Sequence, residues 1–356
     1  MLKRLDDGLV TWLNTHAEAL DSDQAQADQL LPMLASGGLF RVAVPVAQGG
    51  TGGPGSDAVA VAATLAEHSL AAAFVFWAQR VVVECVLRSP NRELAQDLLP
   101  PLLDGTLAGA PGLSNAMRSL GGLGKMQSQF MPAVEGAVVQ GGIPWATNLR
   151  RDGFVAVIAA EHAADASQAV FAVPHCAAGV SRGNDQDLLG LRATNTAALK
   201  FDDVLLAPRW EIHPHAKTFL PEIRPMMLAI QCGLGLGLAT ASLRAARSRT
   251  IAHSILVAEL DELECAIGDY WCTLSTTLDA GHFETAPAEL FDLRIKMVAL
   301  ATSAVHLELQ ALGARAYDRG ANQDFARRMR EAAFLPILTP SLVQIKTALA
   351  RVRTAS

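Results

Sequence analysis

Charge and aromatic rings are both scarce in this sequence. Charged residues make up 18% of the 356 positions and aromatic residues 5%, with only two tyrosines. The net charge is −6 and no basic stripe offsets it, which argues against nucleic acid or an anionic membrane as a principal partner. Small molecules and protein subunits remain. The five cysteines (Cys85, Cys176, Cys232, Cys265 and Cys272) are odd in number, widely spread and free of any C-x-x-C pair. They read as reduced, buried thiols. No stretch approaches about 18 uninterrupted apolar residues free of charge, so no membrane span is expected. The opening "MLKRLDDGLV" mixes acids into its first turns and does not read as a signal peptide. A cytoplasmic location is the expectation. His213 and His215 in "HPH" lack a third ligand nearby, so no metal is expected.

Apolar residues, by contrast, are abundant. They fill 51% of the chain, more than its own core needs, and large subunit interfaces are expected. The length corresponds to two or three domains. From 1 to 105 the pattern is helical, as in "ADQLLPMLASGGLF" and "DAVAVAATLAEHSLAAAFVFWAQRVVVECVLRSP". The insertion Pro45–Asp57 carries five glycines and two prolines and reads as a loop between helices. From 106 to 212 short β-branched runs such as "GFVAVIAAE" and "QAVFAVP" stand between turn residues, which predicts a β domain. From 213 to 356 helices return, and Leu290, Leu293, Met297, Leu300, Ala304 and Leu307 form a seam at alternating three and four spacing. "CGLGLGLA" (Cys232–Ala239) has the glycines of a nucleotide loop but follows no strand, so close helix packing explains it better.

"GGIPWATNLR" (141–150) sets an indole two residues before a hydroxyl, and in a strand both would share one face. Together with "ASGGLFRVAVPVAQGGTGG", "PWATNLRRDGFVAVIA" and "LLGLRATNTAALKFDDVLLAP", in that order and spacing, it resembles the acyl-CoA dehydrogenase superfamily of flavoproteins. The resemblance runs from about Leu31 to about Lys346. It implies an α+β fold: an N-terminal helical domain, a middle β-sandwich or barrel, and a C-terminal four-helix bundle. It implies FAD, with FMN or a transiently bound reduced flavin as alternatives, lying between the β domain and the bundle and partly completed by a neighbouring subunit. Trp145 would lie against the flavin ring and Thr147 near its N5, with Ser114 the best candidate hydroxyl upstream. On the adenine side the resemblance keeps Arg249, Thr250, Gln310 and Gly313, while Ala314 replaces a second glycine. A homodimer or homotetramer follows from the same resemblance.

The implied activity is α,β-dehydrogenation of an acyl thioester, with electrons passed on to an acceptor. Family members remove the α proton with a buried glutamate, but Thr339, Pro340 and Ser341 stand where Glu-Gly-Thr belongs. A minority carry the base on an earlier helix, where Ile223 falls and Glu222 is one residue, or a 100° turn, away. Glu222 is therefore the candidate base; just after Pro221 it also fits a first-turn carboxylate facing the helix dipole. A reduced-flavin-dependent monooxygenase fed by a reductase, and a catalytically silent flavoprotein or acyl-thioester binder, are the alternatives. His68 and Gln79 lie near the implied substrate cavity. Arg192 reads as a brace of the β domain.

Overall fold

Alanine- and leucine-rich stretches with polar caps form the helices, and a β-branched middle segment forms the sheet. The computed structural model describes residues 4–251, 254–318 and 322–355. The first helices are α1 (Asp7–Ser22), α2 (Ala27–Ser36), α3 (Gly55–His68), α4 (Leu70–Arg88) and α5 (Arg92–Leu103). Their starts follow from capping chemistry: Asp6 accepts the N–H groups of Gly8 and Leu9, Ser69 that of Ala72, and Asn91 that of Leu94. Pro54 caps α3, where its missing N–H costs nothing. Gly55, Ser56 and Asp57, expected in a loop, therefore form the first turn of α3, with Asp57 favourably placed against the helix dipole.

The strands are β1 (Ala108–Gly112), β2 (Ser128–Ala133), β3 (Gly136–Ala146), β4 (Phe154–His162), β5 (Gln168–Pro174), β6 (Val180–Asp185), β7 (Ala197–Leu206) and β8 (Glu211–His213), with α6 (Ser114–Leu120) between β1 and β2. All eight join one hydrogen-bonded sheet in the order β6-β7-β3-β2-β4-β5-β8, with β1 parallel to β4. The continuous apolar run Phe154–Ala160 is buried throughout, as befits a strand covered on both faces.

The remaining helices are α7 (Ala216–Arg247), α8 (Leu256–Asp279), α9 (Pro287–Leu312), α10 (Gln323–Phe334) and α11 (Leu342–Ala355). All six seam residues on α9 are buried. The glycines of "CGLGLGLA" are packing sites. A Cβ on Gly237 would sit 2.0 Å from the Ala63 carbonyl oxygen, and one on Gly233 2.7 Å from that of Val59, so α3 crosses α7 nearly backbone to backbone. Gly235 faces Met297 on α9 from the other side.

Two expectations need correction. Among the described residues four helical stretches are long and apolar enough to cross a membrane, and residues 225–243 of α7 carry no charge at all; in α4 and α7 the apolar windows are 94% and 89% buried inside the protein. Their hydropathy is that of a core. The cysteines also divide: Cys85 and Cys232 are buried, and burial pushes both thiols up, Cys232 to about 12, whereas Cys176, Cys265 and Cys272 are exposed. Amphipathic surface positions on α8 put the last two outside, which a count of apolar neighbours in sequence does not show.

Candidate functional site

Strand β3 ends at Ala146, and a register shift against β7 falls between Ile143 and Ala146. Simple alternation therefore does not govern the Trp145 and Thr147 pair, because Thr147 lies one residue beyond the strand. Trp145 is 53% exposed, while Thr147 is 7% exposed. The Thr147 hydroxyl meets that of Thr196 at 3.1 Å, Thr196 meets Thr194 at 2.8 Å, and Thr194 donates to the Leu191 carbonyl at 2.8 Å. An indole face open to a ligand thus stands beside a buried row of three hydroxyls.

The row is held from behind by a saturated amide. Gln79, fully buried on α4, donates to the carbonyls of Leu102 and Leu107 at 2.7 and 2.9 Å. Its oxygen accepts the Gly109 N–H at 2.6 Å and the Asn148 amide at 2.8 Å. All four bonding positions are used, so Gln79 serves as a bracket between α4, α5, β1 and the residue after Thr147. Asn148 itself takes a left-handed φ of 64°, which asparagine tolerates well. From the other side, Asp21 on α1 accepts the Leu191 N–H at 2.7 Å and pairs with Arg330 of α10 at 2.6 Å. Two helical regions therefore fix the loop that carries Thr194 and Thr196.

Ser114 opens α6 two residues after β1, half-buried. The Ile143 side chain lies where a Gly112 Cβ would be, at 2.2 Å, so the end of β1 adjoins β3 close to Trp145. Arg249 and Leu312 line a cavity of about 480 Å³ together with Glu18, Glu308 and Arg328. Gln310 and Gly313 flank Leu312 and are exposed, with Gly313 at a φ of 58° that ends α9. Thr250 donates to the Ala246 carbonyl at 2.9 Å. Ala252 and His253, from the same stretch as Arg249, lie outside the described residues. No hydrogen bond or ion pair among the described residues joins this group to Trp145 or Thr147.

Glu222 is exposed and lies six residues into α7, past its first turn, where its charge acts on Arg88; Ile223 beside it is fully buried. The helix begins earlier than Pro221 because Ala216 and the residues after it continue the turn. Among the described residues four carboxylates are buried, and each meets an arginine: Asp21 with Arg330, Glu84 with Arg88, Glu308 with Arg328, and Glu331 with Arg327. The Thr339 carbonyl accepts from Gln231 at 2.8 Å, and Gln231 in turn accepts from the buried Arg294 at 3.1 Å. His68 meets Asn14 at 2.7 Å, and burial, then Arg244 and Arg327, hold its pKa below the ordinary histidine value. Arg192 pairs with the exposed Asp187 at 2.9 Å. Among the described residues no group of three or more metal-ligating side chains occurs.

The family model described as acyl-CoA dehydrogenase, N-terminal domain, matches residues 8–106. No curated protein matches the sequence. Butyryl-CoA dehydrogenase from Megasphaera elsdenii is 18% identical, with 99% of this chain and 100% of that chain covered and a TM-score of 0.79. The glutaryl-coenzyme A dehydrogenase solved with glutaryl-CoA is 16% identical over 100% and 97% of the two chains, with a TM-score of 0.81. KijD3, solved with FMN and a dTDP-linked amino-keto sugar, is 18% identical over 98% and 91%, also at 0.81. The fold is that of the acyl-CoA dehydrogenase superfamily over the whole chain. Residues 8–106 match the family's N-terminal domain, and the chain as a whole shares the fold of these proteins.

Proposed function

We propose that the chain is a flavin-dependent oxidoreductase, with Trp145 packed against the ring system and Thr147 at its N5 edge. The observation that carries this reading is the exposed indole beside the buried hydroxyl row, a flat apolar platform with a polar edge. A bound flavin supplies a two-electron donor and acceptor. The chain's own residues orient it: Trp145 covers one face, Thr147 meets the edge, and Gln79 and Asn148 hold the strand end in place. FAD is the proposed cofactor, with FMN or a transient reduced flavin as alternatives, and Ser114, Arg249, Thr250, Gln310 and Gly313 as further contacts. In the same reading a neighbouring copy of the chain partly completes the site. The apolar windows spanning α9 and α10–α11, only 44% and 33% buried, are consistent with a homodimer or homotetramer. A cytoplasmic location belongs to the same reading.

Trp145→Ala is expected to weaken flavin binding roughly 5- to 150-fold, the ~1–3 kcal/mol that stacking on an aromatic supplies. Its thermal stability should stay near that of the parent, because the indole is half exposed. Flavin titration and thermal melting of the two proteins check both statements.

For the reaction, dehydrogenation of an acyl thioester assigns proton abstraction to Glu222 and electrons to a protein acceptor. The second reading, oxygenation of a small molecule by flavin supplied reduced by a separate reductase, is favoured by the pairing of every described buried carboxylate with arginine. Each of those carboxylates is already engaged by a guanidinium. Anaerobic mixing with acyl-CoAs separates the two. Dehydrogenation bleaches the flavin, and Glu222→Gln then slows bleaching about 10²- to 10⁴-fold. Oxygenation gives no bleaching, and reduced flavin with oxygen yields a hydroxylated product in parent and variant alike.

A further inference from the structure

The three hydroxyls beside Trp145 have one direction in which every side-chain bond of the row is made. The Leu191 carbonyl can only accept, and the Thr194 hydroxyl donates its single proton to it at 2.8 Å. Toward Thr196, at 2.8 Å, Thr194 is then an acceptor, so Thr196 donates. Toward Thr147, at 3.1 Å, Thr196 is an acceptor in turn, and Thr147 donates its only proton inward. All three side chains are buried, so water does not reverse the order. What Thr147 has left for a ligand is a lone pair.

That polarity distinguishes two forms of one ring. The N5 atom of an oxidised isoalloxazine carries a lone pair and no proton, whereas the two-electron-reduced ring carries N5–H. A lone pair on Thr147 repels the first and accepts from the second. We propose that the Thr194–Thr196–Thr147 hydroxyl row makes this site select reduced flavin over oxidised flavin, with Thr194 and Thr196 as positioning residues that act through Thr147. The proposal rests on the reading of Trp145 and Thr147 as the flavin platform. It adds the redox state that the site holds best, and with it a partner of the class that delivers reduced flavin.

The test measures dissociation constants of oxidised and anaerobically reduced FMN and FAD for the full-length protein and for Thr196→Val and Thr196→Ser. The parent is expected to bind the reduced form about tenfold more tightly or better, the worth of one hydrogen bond gained against one repulsion relieved. Thr196→Val removes the inward acceptor, frees the Thr147 proton to point at N5, and brings the ratio towards one. For a two-electron couple each tenfold change in ratio is about 30 mV in the bound flavin's potential, which spectroelectrochemistry reads independently. Thr196→Ser keeps the hydroxyl and must keep the parent ratio, which separates the effect from a loss of fold. A parent ratio of one, or a ratio unmoved in Thr196→Val while flavin still binds, overturns the proposal alone. Failure of the folded parent to bind flavin in either state overturns the platform reading and the proposal with it.

Discussion

Gln79→Leu is expected to destabilise the protein by about 3 kcal/mol or more and to abolish tight flavin binding. The leucine has nearly the shape of glutamine but satisfies none of the four groups that Gln79 now meets. The Leu102 and Leu107 carbonyls and the Gly109 N–H would be left in the interior, where a buried unsatisfied group costs about 1–3 kcal/mol. The Asn148 amide would keep only the Gly109 carbonyl at 3.1 Å, which loosens the left-handed turn directly after Thr147. Stability and binding can be told apart with Gln79→Glu. Its carboxylate still accepts from Gly109 and Asn148 but donates nothing to the two carbonyls, so stability falls while the Thr147 turn stays anchored. Chemical denaturation and flavin titration on both variants check this; equal binding by Gln79→Leu and the parent would show that the bracket does not support the site.

Glu331→Ala should be at least as damaging, about 3–5 kcal/mol, the usual cost of stranding one partner of a buried ion pair. Glu331 is fully buried on α10, receives the Arg327 guanidinium at 2.9 Å, and accepts the Leu70 N–H at the start of α4. Burial by itself would lower the Arg327 pKa, but Glu331 and Asp324 more than offset it, and the guanidinium stays charged above the ordinary arginine range. Removing Glu331 leaves that cation with only Asp324 at 3.2 Å, which is largely solvated, and leaves Leu70 without its acceptor. Glu331→Gln keeps an acceptor for Leu70 and should recover part of the loss. Denaturant midpoints for the two variants read the difference, and a midpoint for Glu331→Ala equal to the parent's would contradict it.

The seam on α9, the glycine contacts of α7 and the β-branched strands were legible because each is a local pattern whose period matches a secondary structure. Trp145 and Thr147 were legible as a pair of residue types, although the strand's end and its bulge, not alternation, set their surroundings. Gln79 was read as lying near the implied substrate cavity, yet its amide is fully engaged within the protein. Its role as a bracket depends on partners 23 to 69 residues away, and nothing in its neighbourhood points to them. Asp21 and Glu331 look like ordinary solvated helix acids in sequence, yet arginines from α10 bury both. Glu222 shows the reverse. Its position after Pro221 suggests a helix start, but α7 extends back to Ala216 and turns the glutamate outward, towards Arg88.

The sequence by itself determined the order of helices, strands and helices, the apolar faces that pack them, and the residue types gathered around Trp145, because these depend on propensity and spacing along one chain. Only the tertiary structure decided which carboxylates are paired and which amide is saturated. It also set the Leu191 carbonyl at the end of the row of Thr194, Thr196 and Thr147 hydroxyls. A proton on a hydroxyl has no preferred direction until a carbonyl such as that of Leu191 is placed at the end of the row, and that placement requires the loop to be held by α1 and α10 from opposite ends of the chain.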